Sequence, residues 1–508
     1  MLIGSPEKPA AGLLPSTQES CRGPWVLFVT ILGSSMAFID GTVVNVALPA
    51  LQSALHASVQ DIQWVIESYA LLLASLLLLG GSLGDLFGRR KVFAYGVLLF
   101  AAASAWCGLA PSIGSLIVAR GLQGIGAALL VPGSLAIISA SFSEKERGRA
   151  IGTWSGFTSI TAAVGPVLGG WLVEKGSWRW VFFINIPLAL TVGATLWRIP
   201  ESRNESAKRS LDWPGAVLAT CGLGAVTYAL IGAPTGGFAT WAWGLAGVGV
   251  LAGFLFVEAH SSAPMVSLEL FRSRDFSGAN LLTLLLYASL NGILFFLPLD
   301  LVQVQGYSAT QAGATLLPFI LLVFLLSRWS GGLVARYGAR LPLTVGPLVV
   351  ACGFALFLRQ GIGSSYWSTF FPPVLVLGVG MAISVAPLTT AVMESVPASE
   401  AGVASGVNNA VSRISGLLAI AVFGLVLSAG FNSSLNKSLP DLQLSPEVRQ
   451  STDRERGKLA GMQTSDSRIR RAVDEAFLYG YRNVLWVSVG LAILSAVSAR
   501  RISAKHAS

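Results

Sequence analysis

Long apolar runs alternate with short polar stretches along nearly the whole chain. A helix needs about 20 apolar residues to cross about 30 Å of hydrocarbon, and such runs recur with little charge inside them. The pattern predicts an all-α membrane protein with fourteen transmembrane helices. The runs lie near 25–50, 62–84, 92–110, 115–142, 149–173, 180–198, 214–232, 240–258, 276–303, 311–334, 342–358, 369–393, 403–430 and 477–499.

Two polar segments lie outside this pattern. Residues 1–24 are Pro-rich and lack the charged start and short apolar core of a signal peptide, so the first run is expected to be a retained span. Residues 431–476 are polar and carry charges of both signs, which predicts a long extracellular loop. Parts of it, such as 466–476, could form a surface helix, and a mobile loop is the alternative.

Lys and Arg are concentrated in every second connection between the apolar runs, which indicates that these connections lie on the same side of the membrane. Short loops rich in Lys and Arg stay in the cytoplasm, whereas long loops do not obey this rule. Alternate connections are basic, while the short loops between them hold only Lys175, Arg179 and Arg359. Both termini, including a tail at 500–508, are therefore predicted to be cytoplasmic, with the protein in the cell membrane. The basic connections contain 89–91, 145–149, 198–209, 272–274 and 336–340.

Composition supports a lipid environment. The 508 residues are 53% hydrophobic and 12% charged, against about 25% charged in soluble domains. Since the net charge of +9 follows the loops, we expect the bilayer to be a partner and nucleic acid not to be one. The four cysteines and three histidines form no metal-ligand spacing, and no phosphate-binding Walker motif or nucleophile elbow occurs. Neither a metal, another cofactor nor an enzymatic activity is predicted.

One loop sequence occurs twice. The stretch from Gly81 to Arg90 (GSLGDLFGRR) follows the second run, and the stretch from Gly331 to Arg340 (GGLVARYGAR) follows the tenth. Matching loops at matching places predict two related halves, and transporter folds place their site between such repeats.

A few charged residues lie inside the runs, where each costs about 2.5–3.5 kcal/mol on insertion scales and so indicates function. Asp40 is in the first run, Glu67 in the second, Arg120 in the fourth and Arg413 in the thirteenth. Five other charged residues lie nearer the ends of runs: Asp85, Glu258, Asp300, Arg328 and Glu394. A carboxylate that alternates between a buried and a cation-paired environment can carry a proton.

Asp40 and Arg120 are the natural pair for this role. A permanent structural ion pair is the alternative. Glu67 is a candidate second proton site or counter-ion for a cationic substrate, and an interfacial solvated position is the alternative.

Other residues near these charges are candidates for a substrate cavity or a bend. Gly165, Pro166, Gly169 and Gly170 predict a kinked, closely packed fifth span. The candidate cavity residues, several of which are also typical of membrane interfaces, are Trp64, Tyr69, Gln123, Trp154, Tyr287, Asn291, Asn409 and Arg413.

Five motifs in order resemble the major facilitator superfamily, and within it the fourteen-span drug:proton antiporters. They are the loop motif GSLGDLFGRR at 81–90, DGTVVNVALP at 40–49, RGLQGIG at 120–126, GPVLGG at 165–170 and SWRWVFFINIP at 177–187. Asn409 and Arg413 resemble the family's thirteenth-span pattern. Leu86 replaces a usual basic residue, and Ala335 stands where the second loop would carry Asp.

The resemblance implies a fold and residue roles. The fold is two six-helix bundles, at 25–198 and 276–499, with two extra helices at 214–258. It implies that Gly81, Asp85, Gly88, Arg89 and Arg90 form a cytoplasmic gate, that Arg120 takes part in proton transfer, and that the fifth-span motif is typical of exporters.

We therefore expect a transporter that exports small amphipathic organic compounds, as a monomer, in exchange for protons. Few acidic residues line the expected cavity, which favours neutral or singly cationic substrates. A dedicated exporter of one metabolite or self-made antibiotic is an alternative. A non-transporting sensor or scaffold is another.

Overall fold

The structure, a computed structural model, describes residues 17–142, 144–203, 211–233, 236–261, 264–396 and 401–503. Over these ranges the regular elements are helices. Fourteen helical segments are long and apolar enough to cross a membrane, which confirms the predicted fold class. Residues 1–16 and 504–508 of the predicted tails lie outside the described ranges.

The helices divide into two halves and a linking pair. The N-terminal half contains α1 (Thr17–Ala54), α2 (Val59–Phe87), α3 (Arg89–Leu109), α4 (Ile113–Ser141), α5 (Glu144–Lys175), α6 (Trp180–Phe183) and α7 (Asn185–Thr195). The linking pair is α8 (Trp213–Gly232) and α9 (Phe238–His260). The C-terminal half contains α10 (Arg274–Leu299), α11 (Ala309–Thr315), α12 (Leu317–Tyr337), α13 (Arg340–Phe357), α14 (Phe371–Glu394), α15 (Ala401–Ser438), α16 (Pro446–Glu455) and α17 (Ser467–Ser498).

Some spans consist of two helical pieces. The sixth span is α6 followed by α7, and the tenth is α11 followed by α12. Helix α10 continues into a π-helical turn over Asp300–Val304. Helix α16 is short and polar and lies in the connection between α15 and α17.

The predicted loop at 431–476 is too long at both ends. Helix α15 continues to Ser438, and α17 already begins at Ser467, so that 467–476 belongs to the last span. Apolar side chains such as Phe431, Leu435 and Ile469 are buried there, which explains why helix continues beyond the purely apolar run. At the other end of the chain, α1 begins at Thr17 and includes part of the predicted tail 1–24.

The linking pair is two full helices. Helix α8 lies against α2 and α15 and so touches both halves. Helix α9 packs on α8 and leaves large apolar side chains such as Trp243, Leu245 and Phe256 exposed. Such a surface suits lipid rather than water.

The two ends of the bundle differ. We call the face where the described chain begins and ends the terminal face, and the opposite face the loop face. At the loop face Gly170 of α5 lies against Ala309 of α11, and Gly313 lies against Pro166. The Gln63 amide of α2 donates to the Ile420 carbonyl oxygen of α15 at 2.8 Å. The two halves are thus in contact at the loop face.

Candidate functional site

Asp40 and Arg120 form an ion pair inside the N-terminal half. Nη1 of Arg120 lies 2.5 Å from Oδ2 of Asp40, and the side chains are 1% and 0% exposed respectively. Helix α1 supplies the carboxylate and α4 the guanidinium. Removing one partner of such a pair leaves an uncompensated buried charge, at a cost of about 3–5 kcal/mol. Each residue therefore depends on the other for its stability.

Two amides complete the hydrogen bonding of the Asp40 carboxylate. Nε2 of Gln123 donates to Oδ1 at 2.8 Å, and Nδ2 of Asn185 donates to the same oxygen at 3.3 Å. The Gln123 carbonyl oxygen in turn accepts from Nη1 of Arg120 at 2.7 Å. Gln123, which the sequence suggested as a cavity residue, is fully buried in this network. One cation and two amide donors thus surround the Asp40 carboxylate.

Asn185 and Ser104 extend the network and were not among the predicted site residues. Nδ2 of Asn185 donates to Oγ of Ser104 at 3.0 Å, and that hydroxyl donates to the Phe182 carbonyl oxygen at 2.8 Å. Asn185 is the only polar residue between 180 and 190, a signal that could have identified it. Ser104 is one small hydroxyl among several, and nothing in the sequence sets it apart.

Tyr69 covers the ion pair on the side of α2. Its ring centroid lies 4.3 Å from Cζ of Arg120, and Nε of Arg120 donates to the Val65 carbonyl oxygen at 3.1 Å. A desolvated cation–π contact of this kind contributes about 2 kcal/mol. Gly124 makes the approach possible, because a Cβ there would lie 2.5 Å from the Tyr69 carbonyl oxygen. The glycine brings α4 close enough to α2 for the contact.

Glu67 lies on α2 where the two halves contact each other, a surface that we call the seam. It is fully buried, and within the described ranges neither carboxylate oxygen has a hydrogen-bond partner. It follows Gln63 by four residues, so it shares the α2 face that contacts α15. Glu67 is therefore placed for contact with groups between the halves, and it lies apart from the Asp40 network.

Four of the predicted cavity residues lie on α10 and α15. On α15, Gly406 lies against Leu78 of α2. Asn409 and Arg413 follow it by three and seven residues, so they lie on the same face of the helix. Arg413 is half-buried and makes no ion pair with any residue in the described ranges. On α10, Asn291 packs against Gly416, and Tyr287 lies one turn earlier. This face gives the space between the halves a cationic and an amide-lined side.

The structure places two predicted cavity tryptophans in helix–helix contacts. The Trp64 ring packs against Tyr228 of α8, with 6.4 Å between ring centroids. Nε1 of Trp154 donates to Oγ of Ser34 at 3.0 Å, and its ring meets Phe38 edge-on. Both contacts join neighbouring helices.

The fifth-span motif occupies a three-helix junction. Gly165 and Gly169 lie against Thr42 and Val43 of α1, two and three residues after Asp40. On its other face, Gly170 lies against α11 of the C-terminal half, where a Cβ would be 2.4 Å from the Ala309 carbonyl oxygen. The small residues thus connect the helix that carries Asp40 with the seam between the halves.

The loop motif at 81–90 is bonded within the N-terminal half. Nη2 of Arg89 lies 2.8 Å from Oδ1 of Asp85, and Nη1 of Arg90 donates to the Ile199 carbonyl oxygen at 2.9 Å. The Arg90 backbone N–H donates to the Glu201 carboxylate at 3.0 Å. Gly81 lies in ordinary contact with Pro132 of α4. In this state the motif joins α2, α3 and α4 to the segment that leads towards α8.

Substituting Gly88 with alanine is expected to destabilise this face. Gly88 has φ +108°, and a Cβ there would lie 2.8 Å from Oε1 of Glu201. Backbone strain of this kind costs about 1–3 kcal/mol, and moving Glu201 would also weaken its bonds to Arg90. Thermal unfolding of the purified protein should show a lower midpoint. The matched control is Gly152→Ala, where nothing lies within 4 Å of the new Cβ; equal midpoints for both variants would contradict this assignment.

A connecting segment covers the seam at the loop face. We call residues 439–466 the strap. Nε2 of Gln52 donates to the Lys458 carbonyl oxygen at 3.0 Å, and Nε2 of Gln303 donates to Oε1 of Gln52 at 2.8 Å. Nη1 of Arg470 donates to the Ala460 carbonyl oxygen at 3.0 Å. The strap therefore bonds to the N-terminal half through Gln52 and to the C-terminal half through Arg470.

Beneath the strap lies a cavity of about 520 Å³. Its wall includes Val46 and Gln52 of α1, Val173 of α5, Gln303, and Met462 of the strap. The cavity is thus bounded by both halves.

The strap also has internal ion pairs. Although partial burial opposes it, the hydrogen bond from Nζ of Lys458, at 2.5 Å, contributes to lowering the pKa of the Glu455 carboxyl. The Gln463 backbone N–H donates to the same carboxylate at 3.2 Å and acts in the same direction. Because protonation of Glu455 would weaken both bonds, these contacts stabilise the strap above the ordinary titration range of a carboxyl group and less below it.

Residues 30–420 match the family model described as Major Facilitator Superfamily. The chain is 38% identical over 420 residues to multidrug resistance protein Stp of Mycobacterium tuberculosis, which covers 81% of this chain and 77% of that protein. It is 35% identical to the tetracenomycin C resistance and export protein of Streptomyces glaucescens, over 82% of this chain and 79% of that protein. It is 34% identical to a puromycin resistance protein of Streptomyces alboniger, over 82% and 86%.

Solved structures share the fold. A bacterial homologue of the human lysosomal transporter Spinster, described as inward-facing and unoccupied, superposes with a TM-score of 0.69 at 19% identity, over 96% of this chain and 98% of that one. A D-xylose–proton symporter superposes with a TM-score of 0.60 at 14% identity, over 94% and 98%. At these identities the likeness extends to the fold alone.

Proposed function

Because this chain belongs to the major facilitator superfamily, we propose that it exports small amphipathic organic compounds, including antibiotics, in exchange for protons. Alternating access between two six-helix bundles would move the substrate. As a transporter, it is not an enzyme, and family membership sets aside the non-transporting sensor or scaffold.

The buried Asp40–Arg120 pair carries the proposal of proton coupling. In its ionised form Asp40 receives one cationic and two amide donors. Protonation would neutralise the carboxylate and release Arg120 from its charged partner, so the two protonation states favour different packings of α1 against α4. Gly165 and Gly169 pack on α1 just beyond Asp40, and they offer a route from that change to the seam.

We place the terminal face in the cytoplasm, with both termini, because basic residues concentrate in its short connections. The loop face and the strap are then outside, and the observed contact at the loop face corresponds to a carrier closed to the exterior. A substrate would enter from the cytoplasm or inner leaflet. The protein acts as a monomer in the cell membrane in this proposal.

The loop motif at 81–90 would serve as the cytoplasmic gate. Here its charged residues bond to their own half and to 199–202. When the cytoplasmic side closes, the gate would be in position to hold the C-terminal half. The second-half copy has Ala335 where the first has Asp85, so the charged gate is assigned to the N-terminal half alone.

Substrates are proposed from the relatives and from the seam. Relatives are named for resistance to several drugs, to tetracenomycin C and to puromycin. Glu67 and Arg413 supply one acidic and one basic group to the space between the halves, with Asn291 as an amide. Such a set suits neutral or singly charged amphipathic compounds. A dedicated exporter of one self-made antibiotic remains the second candidate, favoured by the Streptomyces relatives.

A transport assay with the purified protein tests the proposal. In proteoliposomes with an acidic lumen, labelled puromycin and tetracenomycin C should accumulate against their gradients through the carriers oriented with their terminal face outward. A protonophore should abolish the accumulation. Uptake that is equal with and without the pH gradient would contradict proton coupling, and uptake of only one compound from a broad drug panel would favour the dedicated exporter.

A further inference from the structure

A second buried carboxylate lies at the loop-face end of α10. Asp300 is 0% exposed, and within the described ranges neither of its oxygens has a hydrogen-bond partner. It starts the π-helical turn 300–304, in which the Gln305 backbone N–H donates to the Asp300 carbonyl oxygen at 3.0 Å. Single π turns inside α-helices are frequent at functional sites. Asp40 differs, because three side-chain donors hold its carboxylate.

Among the described residues, no cation forms an ion pair with Asp300. Helix α17 presents the Tyr481 hydroxyl, which is buried and also lacks a partner, and Asp474, whose charge is paired with Arg470 at 2.9 Å. The phenol of Tyr307 is another titratable group near Asp300. The part of the strap that packs against the same turn is Arg456–Gly461, and both of its charged residues are paired, Lys458 with Glu455 and Arg456 with Asp453. Helix α11 carries no titratable residue.

Burying an isolated carboxylate ion is strongly unfavourable, and such a group takes up a proton instead. Asp300 is therefore expected to carry a proton while it is enclosed as in this structure.

The enclosure depends on the seam. Gln303, three residues after Asp300, donates to Gln52 of the opposite half and accepts from Arg470 through its carbonyl oxygen. Val302 and Gln303 also line the cavity beneath the strap. Opening the loop face separates Gln303 from Gln52 and admits water beside the π turn, where a carboxylate can ionise.

We propose that Asp300 is a proton-binding site whose occupation from the loop side is coupled to closure of the loop face. The inference rests on the alternating access proposed above, and it does not depend on Asp40 or on export of any substrate. The direction of the pH dependence follows from linkage. Because the closed state binds one more proton than the open state, acid favours closure. Between the ordinary titration range of a carboxyl group and the higher pH at which the enclosed Asp300 would itself ionise, the ratio of closed to open molecules should rise by up to about tenfold for each unit of pH decrease, and outside this window it should level off.

Distance measurements by electron paramagnetic resonance test this without transport. Spin labels at Ala54→Cys and Ser365→Cys, both exposed on the loop face of opposite halves, report its opening in a background whose native cysteines are serine. All arms carry Asp40→Asn, so that Asp40 cannot contribute. Between pH 8 and pH 5 the short distance should gain population with Asp300 present, and the population should be independent of pH in Asp300→Asn.

The matched control is Asp441→Asn, which removes an exposed carboxylate of the strap and should retain the pH response. A response that persists in Asp300→Asn, or that is absent when Asp300 is present, overturns the proposal. So does closure driven by Na⁺ at constant pH. Because no substrate is added, these results do not depend on whether proton-driven export is correct.

Discussion

Replacing Asp40 with asparagine is expected to abolish proton-driven transport in a protein that still folds and inserts, with a lower stability because the buried Arg120 loses its counter-charge. Asparagine has nearly the same shape, and its carbonyl oxygen can still accept from Arg120 or Gln123, but it cannot exchange a proton. In acid-lumen proteoliposomes, puromycin accumulation should fall to the level seen without a pH gradient. Size-exclusion chromatography and thermal unfolding of the same preparation check that the fold is retained.

The matched comparison is with Arg120. In Arg120→Ala the buried Asp40 carboxylate loses its cation, and we expect a destabilisation of about 3–5 kcal/mol. The double variant Asp40→Asn with Arg120→Gln removes both charges and should recover most of the lost stability, though not the transport. Proton-driven accumulation that persists in Asp40→Asn would show that this pair is a permanent structural one.

Leucine at Gly170 is expected to open the loop face. A Cβ at this position would already lie 2.4 Å from the Ala309 carbonyl oxygen and 2.6 Å from Cα of Thr310, which are backbone atoms that cannot rotate away. Overpacking of this kind costs about 1–3 kcal/mol, which changes the ratio of two states about 5- to 150-fold. Since only the closed loop face contains this contact, the open state should gain population and transport should be lost.

Cysteine labelling measures this shift. A cysteine at Val46, which lines the cavity beneath the strap and is buried, should react faster with a membrane-impermeant maleimide in Gly170→Leu. Gly331→Leu is the control, because nothing lies within 4 Å of a Cβ there, and it should react as the parent does. Equal labelling rates in both variants would place the conformational seam elsewhere. The same reasoning applies to Gly313, where a Cβ would lie 2.1 Å from the Pro166 carbonyl oxygen.

Much of the architecture could be predicted from the sequence because it depends on local hydropathy. A span is a property of about 20 consecutive residues, and all fourteen predicted spans have counterparts in the structure. The prediction was wrong where burial depends on packing between helices. Residues 431–438 and 467–476 look polar as a segment, yet they continue α15 and α17 because their apolar minority packs inward.

The candidate site divides in the same way. Asp40 and Arg120 were identifiable because a charge inside an apolar run is costly wherever the helix packs. The network around them was not predicted. Gln123 was suggested only as a cavity residue, Asn185 and Ser104 were not suggested as site residues, and the three come together only when α3, α4 and α7 surround α1. Trp64 and Trp154 were suggested as cavity residues because they lie near charges in the sequence. In the structure Trp64 packs against Tyr228, and Trp154 donates a hydrogen bond to Ser34.

By itself, the sequence determined that the chain has fourteen apolar spans and that Asp40 and Arg120 are among the few charges inside them, and its matching loops predicted two related halves. Only the tertiary structure decided which groups satisfy them, and that the GPVLGG segment faces Asp40's helix on one side and the opposite half on the other. It also decided that Asp300, at the end of an apolar run, is enclosed, and that its carboxylate has no hydrogen-bond partner among the described residues. The physical reason is that hydropathy acts along a single helix, whereas a hydrogen-bond partner or a close glycine contact depends on which helices become neighbours.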